Sequence, residues 1–189
     1  TFNPVEVKAD DEKPAMNVEY HSKQDIVDYY NKHPFDGDMD TKYKEEPDVF
    51  APYNLGSLTQ KTIDNAQNMV NVVRYVAGLS GMTVEDASLS KSAQAAALAN
   101  AANGELSHYP RRPRDMSDNM YNLAQEGASS SNIAMTSGRM TLPMSIRMYL
   151  SDADSGNRSR VGHRRWILYP TLYKIGFGQV EGYTATRVI

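Results

Sequence analysis

The chain has no cysteine among its 189 residues. That excludes disulfide bridges and thiolate metal centres, and it leaves any metal site to imidazole, carboxylate and hydroxyl donors. It assigns no compartment, because a domain of this length buries enough apolar surface to fold without cross-links. Long hydrophobic runs are missing as well. No stretch approaches the ~20 consecutive apolar residues that a bilayer-spanning helix requires. No export leader is recognisable, so an exported form would be a mature or trimmed chain. A large charge surplus is also absent. The formal net charge is −3, which speaks against a general nucleic-acid-binding surface. What is present is a sizeable apolar fraction, 40% of the residues, enough for a core and too much for global disorder. The length suits one domain with an extension better than two full domains.

The charge is unevenly spread. Residues 1–50 carry 6 Lys/Arg against 13 Asp/Glu, whereas residues 101–189 carry 11 against 7. An acidic extension, residues 1–56, therefore precedes a main domain, residues 57–189, whose C-terminal half is mildly basic. The extension either remains a solvated acidic tail or folds back onto the seven arginines Arg111, Arg112, Arg114, Arg158, Arg160, Arg164 and Arg165. Folding back is slightly favoured, because the charges are complementary. Those arginines could instead flank a cleft and bind anionic polymer or substrate carboxylates.

Within the extension, Ser22-Lys-Gln-Asp25 has the spacing of a capping box, and the helix it opens should stop before Pro34. Asp36-Gly-Asp-Met-Asp40 reads as a turn. In the main domain Ser57-Leu-Thr-Gln60 has the same capping-box spacing. It opens a helix with Ile63, Ala66, Val70, Val73 and Ala77 on one stripe, stopped by Gly78 and Gly81. A second, alanine-rich helix is expected from about Glu85 or Leu89 to Asn103, with Gly104 after it. A third should run from Ser117 to Glu126 and end at Gly127. A fourth should run from Leu142 to Ser151, with Pro143 in its first turn. The period then changes. Arg164–Leu168, Lys174–Gly178 and Tyr183–Ile189 read as three strands, with Trp166 and Ile167 on opposite faces of the first. Helices followed by strands imply α+β with an antiparallel sheet.

Four histidines are available. His21 and His33 lie in polar company in the extension. His108 and His163 each sit in a short link between elements, where two neutral imidazoles could meet in one cleft and hold a divalent metal. A surface or structural role for each is the simpler reading on spacing alone. Ser131, His163 and Asp152 also invite a Ser-His-Asp reading, but Ser129-Ser-Ser131 has no glycine elbow to strain a nucleophile. Asp152-Ala-Asp154 with Asn157 offers oxygens at alternate positions, as a calcium loop does, yet lacks a terminal bidentate acid.

Several segments together resemble the CAP superfamily of cysteine-rich secretory, antigen 5 and pathogenesis-related proteins. Asn71-Val-Val-Arg-Tyr-Val-Ala-Gly-Leu79 is similar to its first helix. Ala93-Gln-Ala-Ala-Ala-Leu-Ala99 with Leu106-Ser-His108 is similar to its second helix and first histidine. Ser131-Asn-Ile-Ala134 falls where the family has Gly-Glu-Asn and an apolar residue. Gly162-His-Arg-Arg-Trp-Ile-Leu168 resembles the segment bearing the second histidine, and Tyr173 to Gly178 the glycine-rich strand. The resemblance implies a three-layer α-β-α sandwich, with His108 and His163 in a shared cavity. It also implies an extracellular or cell-envelope-associated protein of a Gram-positive bacterium.

The family cavity carries two acidic residues besides. One position maps to Ser131, a departure, and the other falls near Asp152. Losing that carboxylate lowers the expected affinity for zinc, and no obligatory cofactor is expected. The resemblance implies first a binding module for an extracellular ligand, whether lipid, peptide or cell-envelope component. Second comes a metal-assisted hydrolase using His108, His163 and Asp152. Third comes an interaction domain with an inactive cleft.

Overall fold

The computed structural model describes residues 18–79 and 81–188. Most of the acidic stretch before Glu19, and Ile189 of the last expected strand, lie outside the described residues. Helix α1 (Lys23–Lys32) forms as its capping box dictates, with the Ser22 hydroxyl accepting from Asp25 N and the Asp25 carboxylate from Ser22 N. It lies against the long helix α2 (Gln60–Val76) through a stack in which Tyr75 is sandwiched between His21 and Tyr29. Strand β1 (Tyr43–Glu45) then pairs with β2 (Ser57–Leu58).

This pairing corrects the start of α2. Ser57 is in a strand, and the cap is Thr59, whose hydroxyl accepts from Thr62 N. Two carboxylates among the described residues of the extension are met by arginine, though not by the arginines expected. Arg139 binds Asp40, and Arg147 binds Asp38 and the Gly37 carbonyl.

The second sheet is the centre of the molecule, with strand order β3 (Val84–Glu85), β5 (Lys174–Val180), β6 (Tyr183–Arg187), β4 (Ser131–Met135). Only the β3–β5 pair is parallel. Helices α3 (Ala87–Asn103) and α4 (Asp118–Ser129) cover one face; α2 and α5 (Leu142–Ser151) cover the other. This is the three-layer α-β-α sandwich.

Strand β5 shows how the layers are held apart unequally. Ile175 and Phe177 point into the core shared with α2 and α5. Gly176 and Gly178, of opposite parity, face α3, where a Cβ would overlap the backbone of Leu89–Ser90 and Ala93–Gln94. Alanine on the helix and glycine on the strand bring the two backbones into contact, so α3 is buried nearly all round. Gly127 does the same for α4. It is not a helix stop, as the sequence suggested. The helix runs on to Ser129, and a Cβ at 127 would collide with the Ser92 carbonyl of α3.

The expected strand at Arg164–Leu168 is instead the short helix α6 (Arg164–Ile167), with Ile167 buried and Trp166 half-buried. The alternation of Trp166 and Ile167 across a sheet therefore does not occur. The sheet gains β4 in its place, a strand that the sequence reading had not marked.

Asp86 caps α3 and binds Lys174 at 2.9 Å, joining the helix start to β5. The Ser88 hydroxyl, then Lys174, hold its carboxyl well below the usual range. A depressed carboxyl contributes stability above its unfolded-state pKa, and that contribution is lost as pH falls through the folded-state value. Asp86→Asn should therefore flatten part of the stability loss seen in urea titrations below about pH 4. An identical acid limb in the variant would remove Asp86 from the account.

Candidate functional site

Two loops meet at one end of the sheet. The first follows α3 and carries His108. The second joins α5 to α6 and carries Asp152, Asp154 and Asn157, with His163 at its far end. Strand β4, at the sheet edge, forms the floor between them.

His108 is anchored by Nδ1, which lies 2.8 Å from the Ala128 carbonyl in the last turn of α4. A carbonyl only accepts, so Nδ1 holds the proton, and in the neutral imidazole Nε2 keeps its lone pair. His163 is anchored the same way, its Nδ1 2.7 Å from Asp152 Oδ1. Asp152 is 1% exposed and left-handed, with φ 44° at the C-cap of α5. A carboxylate at a helix C-terminus is disfavoured by the helix dipole. It is held here by the next element, accepting from the backbone N–H of His163 and from that of Arg164 at 2.8 Å.

The Asn132 amide, 2% exposed on β4, donates to the His163 carbonyl, and the buried Tyr149 ring packs against the imidazole. Full burial pushes the Tyr149 phenol pKa far up. Asn132 had no role in the sequence reading. The signal was its place beside Ser131 in the segment matched to the family pattern.

Both histidines line two adjoining lobes of one cleft. A polar lobe of about 300 Å³ includes Ser131, Asn132, Arg160, Arg165 and Trp166. A more apolar lobe of about 450 Å³ includes Leu106, Ile133, Met135, Met148 and Tyr149. Ser131 is 5% exposed, and its hydroxyl has no hydrogen-bond partner among the described residues. The Asp–His half of a triad is thus present, but the Ser131 hydroxyl is not bonded to His163.

Donor atoms of Asp152, Asp154 and His163 do converge within 4.8 Å. Both carboxylates are already engaged, Asp152 as above and Asp154 by Gly156 N, Asn157 N and the Asn157 amide. These bonds, the Asn157 amide first, lower the Asp154 pKa. The loop is a closed turn of its own. A separate cavity of about 220 Å³, floored by Phe177, Leu58 and Ile63, has its Gln94 amide fully committed to Leu55 and Gln179.

No helix among the described residues is long and apolar enough to cross a membrane. No curated protein and no solved structure matches the chain. The family model described as the cysteine-rich secretory protein family matches residues 67–188, from within α2 through β6, and includes both cleft histidines. By its fold and by that match over more than half its length, the chain belongs to the CAP family, the cysteine-rich secretory protein family.

Proposed function

We propose that this CAP domain is an extracellular, cell-envelope-associated binding module whose cleft between His108 and His163 receives the ligand. One observation carries the reading. Two imidazoles are each fixed through Nδ1 by an acceptor, which leaves two oriented Nε2 atoms at one concave wall. The adjoining apolar lobe provides room for a ligand larger than an ion. The test is titration with phospholipid micelles, short peptides and envelope glycopolymer, followed through Trp166, the chain's single tryptophan. A response in the wild type that is lost in His108→Ala/His163→Ala supports the module. Silence toward all three classes sinks it and leaves an interaction domain with an inactive cleft.

The Asp152–His163 pair favours a second reading, a metal-assisted hydrolase. A carboxylate on Nδ1 orients an imidazole and raises its basicity toward a metal. His108 and His163 would hold zinc through Nε2, and zinc would polarise a carbonyl or activate a water. The donor set fits a weakly held ion, since Ser131 brings no charge to offset a dication.

Zinc should therefore raise the melting temperature slightly at neutral pH. The effect should vanish on acidification, because an imidazolium has no lone pair. A chelator should leave the protein folded. Unfolding on chelation would show a structural metal, and absence of any zinc effect at every pH would end the hydrolase reading.

A further inference from the structure

We propose that the polar lobe of the cleft is built for a hydroxyl-bearing oxyanion, a phosphate or carboxylate group carried on a polyol. This rests on the reading of the cleft as a ligand site and adds the chemistry that the ligand brings.

The first observation is unspent positive charge. Arg160 and Arg165 line the lobe, both exposed, and among the described residues neither is paired with a carboxylate. Of the other arginines in the basic half, Arg111 is paired with Glu105, Arg112 with Asp118 and Arg114 with Asp115, while Arg158 and Arg164 spend their donors on backbone carbonyls. Among the described residues no Asp or Glu lines this lobe, Asp152 standing behind His163. The Arg165 guanidinium lies 5.5 Å from the centre of the Trp166 ring, a contact that orders the cation without cancelling it. A planar guanidinium on a concave wall offers paired donors to a carboxylate or phosphate.

The second observation is the Ser131 hydroxyl, buried in the same wall with no partner among the described residues. A buried hydroxyl is costly unless it is bonded. A carboxylate at this position would attract a cation, whereas a hydroxyl can donate to an anion.

The third observation restricts the ligand further. In the neutral imidazoles, with Nδ1 donating to Ala128 or Asp152, the two Nε2 atoms are acceptors. A bare oxyanion gives them nothing to accept and meets their lone pairs. A ligand with O–H groups next to its charge satisfies both sides, with oxyanion on arginine and hydroxyl on imidazole.

The test uses glycerol phosphate and glycerate, with glycerol and propyl phosphate as controls, at fixed neutral pH and with chelator present. The readout is the indole N–H resonance of Trp166. Both charged polyols should shift it saturably, and the tighter of the two identifies the preferred head group. Glycerol, which lacks the charge, and propyl phosphate, which lacks the hydroxyls, should bind about tenfold more weakly or worse. Arg160→Ala and Arg165→Ala should each weaken glycerol phosphate by about tenfold.

Ser131→Glu should abolish binding. Should that variant not fold, Ser131→Ala should still weaken binding by about threefold to fivefold. Equal binding of glycerol and glycerol phosphate overturns the proposal while leaving the cleft a ligand site, and so does indifference to both arginines. Silence toward all four probes overturns it as well. Binding seen only without chelator would make a metal, not the arginines, the anion receptor, and would also overturn it.

Discussion

Arg74→Met should cost the protein about 3–5 kcal/mol in urea unfolding, the cost of leaving several backbone carbonyls without their donor. Arg74 sits on α2 with 0% of its surface exposed, and it has no carboxylate partner among the described residues. Burial alone lowers its pKa. Its donors go to carbonyls: Nη1 to Ile167 at 2.8 Å and Tyr169 at 2.9 Å, Nη2 to Leu172 at 3.0 Å, Nε to Gly81 at 3.3 Å.

Methionine matches the length of the stem and spares the cost of burying a cation, but it leaves the Ile167, Leu172 and Gly81 carbonyls without a donor, while the Tyr169 carbonyl keeps the Leu172 N–H. An orphaned buried acceptor costs about 1–3 kcal/mol, so the losses outweigh the relief. Lysine, with three donors at one point, cannot span the same four oxygens, and Arg74→Lys should recover only part of the loss. A loss below about 1 kcal/mol for Arg74→Met would mean that the segment after α6 finds its partners elsewhere.

Asp152→Ala should be the second severe change, with about 2–4 kcal/mol of stability lost and zinc affinity reduced about 10- to 100-fold. Three donors lose their acceptor together: the His163 backbone, the His163 ring and the Arg164 backbone. Alanine also lacks the short polar side chain that eases aspartate into the left-handed region, which works in the same direction. Asp152→Asn separates the two effects. Asparagine tolerates the left-handed conformation and keeps the shape, so it should lose the charge and the hold on the imidazole with a smaller stability cost. Calorimetric zinc titration beside urea unfolding checks both. An asparagine variant that binds zinc as the wild type does would show that Asp152 does not position His163.

These two residues also explain what the sequence hid. The capping box of α1, the stripe of α2, the alanines of α3 and the Leu142–Pro143 start of α5 are local signals, and each helix formed over them, only the start of α2 moving from Ser57 to Thr59. Arg164–Leu168 carries no such signal. Its helical turn is set at both ends by side chains from afar, with Asp152 accepting the N–H groups at its start and Arg74 binding carbonyls at and beyond its end. Read alone, Arg-Arg-Trp-Ile-Leu suits a strand as well as a turn of helix.

Gly127 was misread for a related reason. Its purpose is an approach to Ser92, far away in the chain, while glycine near a helix end ordinarily marks a stop. Of the cleft, His108, His163, Asp152 and Ser131 were legible through their order along the chain. Asn132, Tyr149 and the Ala128 carbonyl were not, because positioning groups declare themselves only once the loops have closed.

The seam of glycine and alanine around α3 has a consequence for how this architecture can diversify. At Gly127, Gly176 and Gly178 no side chain fits at all, so that part of the sequence is closed to drift. None of those positions bears a polar side chain or lines the cleft. The cleft is instead borne by two loops and an edge strand, where a side chain can be exchanged without disturbing the helix–sheet contact. A lineage of such domains can therefore trade a carboxylate for a hydroxyl, or gain and lose arginines, and so change what it recognises while the frame stays the same.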